Sequence, residues 1–128
     1  MDNEKNSDKT TIGMASVYNT TYYYNSFFAA LPEAVKEEIK QICTFYSAKL
    51  HCVFSVNFRE NGDVYFKTVA EEWDINYDEI GASLDIGKLT RERRDLFISL
   101  KMWYLVFILG VKPEDVQKRL LEDDSLDG

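Results

Sequence analysis

The sequence predicts an α+β fold, and three observations carry that prediction. Apolar spacing is helical over residues 32–49, alternates over residues 52–58 and 63–70, and becomes helical again over residues 86–109. A chain of 128 residues, 45% hydrophobic and 14% aromatic, is long enough for one core and too short for two. Polar stretches without periodicity bracket the pattern, so one domain is expected over residues 15–123, with solvated tails at 1–14 and 124–128.

Ser16–Tyr24 (SVYNTTYYY) is rich in β-formers and is a candidate third strand beside the central hairpin. Residues 25–31 fit a helical turn or an ordered loop equally well. Pro32 suits a first helical position, where its missing N–H leaves no bond unmade. Glu33 and Glu37 complement the positive end of that helix and Lys49 the negative end. Val35, Ile39, Ile42, Cys43, Tyr46 and Leu50 share one stripe, so this helix is amphipathic with one buried face.

The period then becomes two. Cys52, Phe54, Val56 and Phe58 form one apolar face, and Val64, Phe66, Thr68 and Ala70 its counterpart on the return strand. A two-residue Asn61-Gly62 turn would pair Val56 with Lys67 and set Glu60 against Asp63. A three-residue loop, Glu60-Asn61-Gly62, pairs Phe58 with Val64, Val56 with Phe66 and Arg59 with Asp63. The second register matches the apolar faces and is the one expected, with Gly62 left-handed in a type I turn plus bulge.

Glu71–Ser83 reads as an acidic connection with a helical turn near Tyr77–Leu84. Asp85 fits an N-cap, with Leu84 and Leu89 as a hydrophobic staple. A helix of ~36 Å should follow over residues 86–109, ended by Gly110. Pro113 then opens a short last helix with Val116, Leu120 and Leu121 inward.

The long helix is the unusual element. Leu96–Leu109 is apolar at twelve of fourteen positions, broken by Ser99 and Lys101. Leu89, Leu96, Leu100, Trp103 and Phe107 make one stripe, expected to lie on the hairpin and first helix. Ile98, Met102, Leu105 and Leu109 make a second, about opposite, continued toward the N-terminus by Arg91 and Arg94. Either the chain covers this stripe itself, with its last helix or the Ser16–Phe28 segment, or a second subunit does. The expectation is a non-catalytic protein–protein interaction module, a homodimer or bound to a protein partner. Its anchors would be Ile98, Met102, Leu105 and Leu109, and its charged rim Arg91 and Arg94.

Charge and motifs exclude more than they assign. The net charge is −7, and residues 60–85 hold eight acids against Lys67 alone, which disfavours nucleic acid as a partner. Lys88, Arg91, Arg93 and Arg94 are interleaved with Glu92 and Asp95, and an Arg91–Asp95 pair at i,i+4 makes them a solvated face. A 14-residue apolar run spans ~21 Å, short of the ~30 Å hydrocarbon core, so no membrane crossing is expected. The N-terminus MDNEKNSDKT lacks a signal-peptide pattern, so a cytoplasmic location and reduced Cys43 and Cys52 thiols are expected. His51 is the only histidine and stands beside Cys52, but neighbours on a strand face opposite ways, and a surface histidine next to a core cysteine is the simpler account. Asp74-x-Asn76-x-Asp78 starts like a calcium loop and fails at Glu79, Gly81 and Asp85. No catalytic residue, cofactor or metal is assigned. The alternative is a small-molecule-binding or enzymatic domain, with a pocket near the hairpin and the aromatic N-terminal segment, using His51 or the Asp74–Glu79 carboxylates.

Tyr23–Asn25, then Phe28-x-x-Leu31-Pro32-Glu33, Tyr77-Asp78-Glu79-Ile80-Gly81 and Leu109-Gly110 together resemble a family of small uncharacterised bacterial proteins, a domain of unknown function. The resemblance spans about residues 16–112. It implies a bacterial cytosolic origin and brings no activity, cofactor or catalytic residue.

Overall fold

Alternation puts Phe54, Val56 and Phe58 on one face of a strand, and that strand lies inside a four-stranded antiparallel sheet. The computed structural model describes residues 9–124. In chain order the elements are β1 (Thr11–Ser16), β2 (Thr21–Tyr24), a 3₁₀ turn (Ser26–Phe28), α1 (Glu33–Leu50), β3 (Val53–Phe58), β4 (Val64–Val69), α2 (Glu79–Glu92), α3 (Arg94–Phe107) and α4 (Pro113–Asp124). The strands are ordered β2-β1-β3-β4. The α+β expectation holds.

The β3–β4 hairpin has the three-residue loop. Phe58 faces Val64 and Val56 faces Phe66. The Arg59 N–H donates to the Asp63 carbonyl at 2.7 Å. Gly62 has φ +93°, and a side chain there would meet the Tyr104 ring at 3.0 Å, so both backbone and space demand glycine. Slipping the register by one residue would turn three phenylalanines toward water, which is why face-matching located the loop.

The N-terminal region departs from expectation. Thr11–Met14, expected in a tail, belong to β1; Ser16–Tyr24 is the end of β1, a turn and β2. Residues 1–8 and 125–128 lie outside the described residues. A bulge between Thr11 and Gly13 lets Ile12 enter the core beside Ala15. A Cβ at Gly13 would sit 2.7 Å from the Tyr22 hydroxyl and 2.9 Å from Ile39, so the missing side chain lets α1 approach the strand. The bulge breaks strict alternation, and this hid the strand. Residues 25–31 contain the 3₁₀ turn, capped by the Asn25 side chain, which accepts from the Phe27 N–H at 3.0 Å.

α1 and α3 cover the same face of the sheet. Ile39, Ile42, Cys43 and Leu50 are buried from α1, and Tyr46 stacks on Phe54 with ring centres 5.4 Å apart. From α3, Tyr104 meets Phe58 at 4.6 Å and Phe97 meets Phe66 at 5.2 Å. Met14, Val53, Tyr65, Lys67 and Val69 line the opposite face. Buried Asn57 there is satisfied, accepting from Thr11 Oγ1 at 2.8 Å and donating to Ser55 Oγ at 3.1 Å.

The single helix expected over 86–109 is two helices. α2 begins seven residues earlier, with Asp78 and Glu79 at the positive end of its dipole and Ala82 and Leu89 buried one heptad apart. Asp85 is therefore not the N-cap. It lies within α2 and pairs with Lys49 of α1 at 3.3 Å. The staple does not form, because Leu84 is exposed. Arg93 leaves helical geometry at ψ 28° and separates α2 from α3, at the point where its guanidinium reaches Glu38 of α1 at 2.5 Å. Arg91 and Asp95 flank that break and, among the described residues, form no ion pair with one another.

Lys101, which interrupted the apolar run, is nearly buried and donates to Asp63 Oδ1 at 2.6 Å. α4 packs mainly on α3. Leu105 and Val116 are buried but lie outside the main cluster, and they mark this separate contact.

Candidate functional site

Residues distant in sequence meet where α1 ends. His51 terminates α1 with φ +63°, a left-handed position that favours glycine, and the ring swings toward the loop after β4. His51 Nδ1 lies 2.5 Å from Asp74 Oδ2. The Tyr18 hydroxyl, from the β1–β2 turn, donates to the same oxygen at 2.6 Å and accepts from the Glu71 N–H at 3.0 Å. Asp74 Oδ1 accepts from the Asn76 N–H at 2.8 Å. The Tyr18 hydrogen bond, with those of His51 and Asn76, holds the Asp74 carboxyl below the usual carboxylate range. Burial and the carboxylate raise the Tyr18 hydroxyl.

This network fixes the acidic loop by its buried middle, and the residues beside Asp74 point outward. Trp73 rests edge-on against Tyr18, with ring centres 5.7 Å apart, yet is 67% exposed. Ile75 is 93% exposed. Ile80 and Leu84, one turn apart on α2, are 75% and 70% exposed. Four large apolar side chains within residues 73–84 thus face solvent on backbone that is tied down. Sequence reasoning missed them by starting the helix at residue 86. Stepping back from Arg91 by four, three and four residues reaches Gly87, Leu84 and Ile80, the same stripe it had assigned to Arg91.

The sequence-derived contact residues divide. Arg91 and Arg94 are exposed, Ile98 is half-buried, and Met102 and Leu109 are each 42% exposed. Leu105 is fully buried within its own chain, so it belongs to the fold and is no exposed anchor. On the first stripe Leu89, Leu96 and Leu100 enter the core, while Phe107 is exposed.

The chemical suspects are also placed. Asp74 of the calcium-like run turns inward to His51 and Tyr18, and Asp78 sits at the start of α2. No group of three or more His, Cys, Asp or Glu among the described residues is placed to hold a metal. Cys43 and Cys52 are free and buried, and burial pushes their thiols up to about 12 and about 11. An open depression of 890 Å³ lies at the hairpin tip, lined by Lys9, Arg59, Glu60, Asn61, Asp63, Tyr65 and others. His51 precedes β3 and the depression follows it, roughly 20 Å away at 3.3 Å per residue. No helix among the described residues is long and apolar enough to cross a membrane.

A family model described as "Family of unknown function (DUF6145)" matches residues 9–112. The chain belongs to that family. The DUF6145 region takes in β1 through α3 and stops just before α4. It also contains the Tyr18–His51–Asp74 network and the exposed residues 73–84. No curated protein and no solved structure matches the chain.

Proposed function

We propose that this DUF6145 protein is a non-catalytic protein–protein interaction module that acts as a homodimer. One observation carries the reading: Trp73 and Ile75 stand in water on either side of Asp74, whose carboxylate network ties their loop to Tyr18 and His51, and Ile80 and Leu84 are exposed on α2, which follows in the chain. Large apolar side chains exposed together are uncommon on monomers, and an ordered presenting segment lowers the entropy lost on association. Trp is among the residues that dominate interface energies. The Tyr18–His51–Asp74 cluster reads as the support of this surface.

The enzymatic alternative draws on the His51–Asp74 hydrogen bond, which resembles an oriented general base. Against it, the depression at the hairpin tip is at the far end of β3 from His51, so the pair does not line it. Sedimentation velocity over a concentration series tests the preferred reading. A mass that rises from one chain toward two supports it, and a constant monomer mass at every concentration refutes it.

A further inference from the structure

α1 and α3 pack on one face of the sheet, and the other face holds a cavity of 330 Å³. Register explains its origin. Met14, Ser55 and Lys67 are direct neighbours across β1, β3 and β4; Thr11, Asn57 and Tyr65 form the row on one side, and Ser16, Val53 and Val69 the row on the other. Cross-strand neighbours share a face, so Ser55 is a small side chain ringed by larger ones and becomes the floor. It is 6% exposed, while Met14, Lys67 and Val69 around it are exposed. The floor carries an unused donor. Asn57 Nδ2 donates to Ser55 Oγ at 3.1 Å, so the serine proton turns away from Asn57, and no acceptor among the described residues receives it. Asn57 itself is fully committed, to Thr11, Ser55 and the Tyr65 carbonyl. Lys67 forms no ion pair among the described residues, and no described acid lines the cavity.

We infer that this cavity binds a small monocarboxylate with a short apolar tail, the carboxylate held by the Ser55 hydroxyl and the Lys67 ammonium and the tail laid over Val53, Val69 and Met14. Three observations select that class. The chain carries a net charge of −7, yet here Lys67 is the one charged residue of the lining, so an anion finds local complementarity and a cation does not. One ammonium and one hydroxyl donor match a single carboxylate, and a neutral ligand would leave the charge-assisted bond unmade. The volume lies at the low end of the range of about 300–1,000 Å³ for small-molecule sites, and the polar row of Thr11 and Asn57 is set apart from the apolar row of Val53 and Val69, which orients a short amphiphile. The depression at the hairpin tip offers no such selection, because Glu60 and Asp63 stand among its cations Lys9 and Arg59. None of residues 73–84 lines the cavity, so binding there does not require two copies to associate.

The test is a nuclear magnetic resonance titration of the full chain with octanoate, and with octanamide as its uncharged counterpart. Octanoate should shift the amide signals of Met14, Val53, Ser55, Lys67 and Val69, with a dissociation constant on the order of 1 mM, which about ten heavy atoms can supply. Octanamide should bind about tenfold more weakly. Lys67→Met keeps the stem and removes the charge at an exposed position, so it should weaken octanoate about tenfold and leave the melting temperature unchanged. Arg59→Met deletes an exposed cation outside the lining and should leave the affinity within about twofold of wild type. No shifts at tens of millimolar octanoate, equal binding of octanamide, or equal effects of Lys67→Met and Arg59→Met would overturn the site. Shifts at the same residues that follow protein concentration without octanoate would make a second copy the occupant, and would overturn it as well.

Discussion

Removing the Asp63 carboxylate should destabilise the fold far more than removing its partner, Lys101. Lys101 Nζ lies 2.6 Å from Asp63 Oδ1; the lysine side chain is 9% exposed and the aspartate 27%. Asp63→Ala removes the carboxylate that the nearly buried Lys101 ammonium contacts where helix meets hairpin. Breaking a fully buried pair from one side costs about 3–5 kcal/mol, and partial access to water on the Asp63 side reduces this to about 2–3 kcal/mol. At roughly 4 °C per kcal/mol for a chain of this size, the melting temperature should fall by about 8–12 °C. Lys101→Met keeps the length of the side chain and deletes the charge, and Asp63 can turn to solvent, so a loss of under about 1 kcal/mol is expected. Urea unfolding followed by far-ultraviolet circular dichroism measures both. Equal losses for the two variants, or an Asp63→Ala loss below about 0.5 kcal/mol, would refute the claim that the desolvated cation makes the pair asymmetric.

Three further outcomes are expected. The Tyr22 hydroxyl is buried without a hydrogen-bond partner among the described residues, so Tyr22→Phe should raise stability by about 1 kcal/mol; a loss in urea unfolding would show that the group is satisfied. The Asp74 carboxyl is held below its ordinary 3.8, so its contribution is fully present above that value and is lost as pH falls through the lowered one. Wild type should therefore exceed Asp74→Asn in stability at neutral pH, with the gap closing below about pH 4, and a gap constant with pH would count against the network. Burial holds the Cys43 and Cys52 thiols at about 12 and about 11, so a thiol reagent should label neither in the native chain and both in guanidinium; fast native labelling of either would contradict this packing.

What could be read from the residues was whatever a local period enforces. α1 was legible because Ile39, Ile42, Cys43 and Leu50 repeat at helical spacing, and the β3–β4 loop because only one register aligns Phe58 with Val64. β1 was not, since the bulge at Gly13 destroys alternation within six residues. At the break, Arg93 pairs with Glu38, far back in the chain, and no local signal announces that contact. Asp85 looked like a cap because the chemistry of a capping residue is the same as that of a residue reaching sideways to Lys49. The candidate surface failed for a related reason. Its carboxylate support joins Tyr18, His51 and Asp74 from three separate segments, and only the fold unites them.

The separate burial of Leu105 under α4 has a consequence for how the molecule comes apart. A helix docked chiefly on one neighbour is a unit of local unfolding, able to detach while the sheet and α1 stay closed. Amide exchange along Pro113–Asp124 should then be faster than in α1 and uniform within the segment. Each detachment would briefly bare Leu105 alongside Met102 and Leu109, turning a folded chain into a sticky one without any loss of its main core.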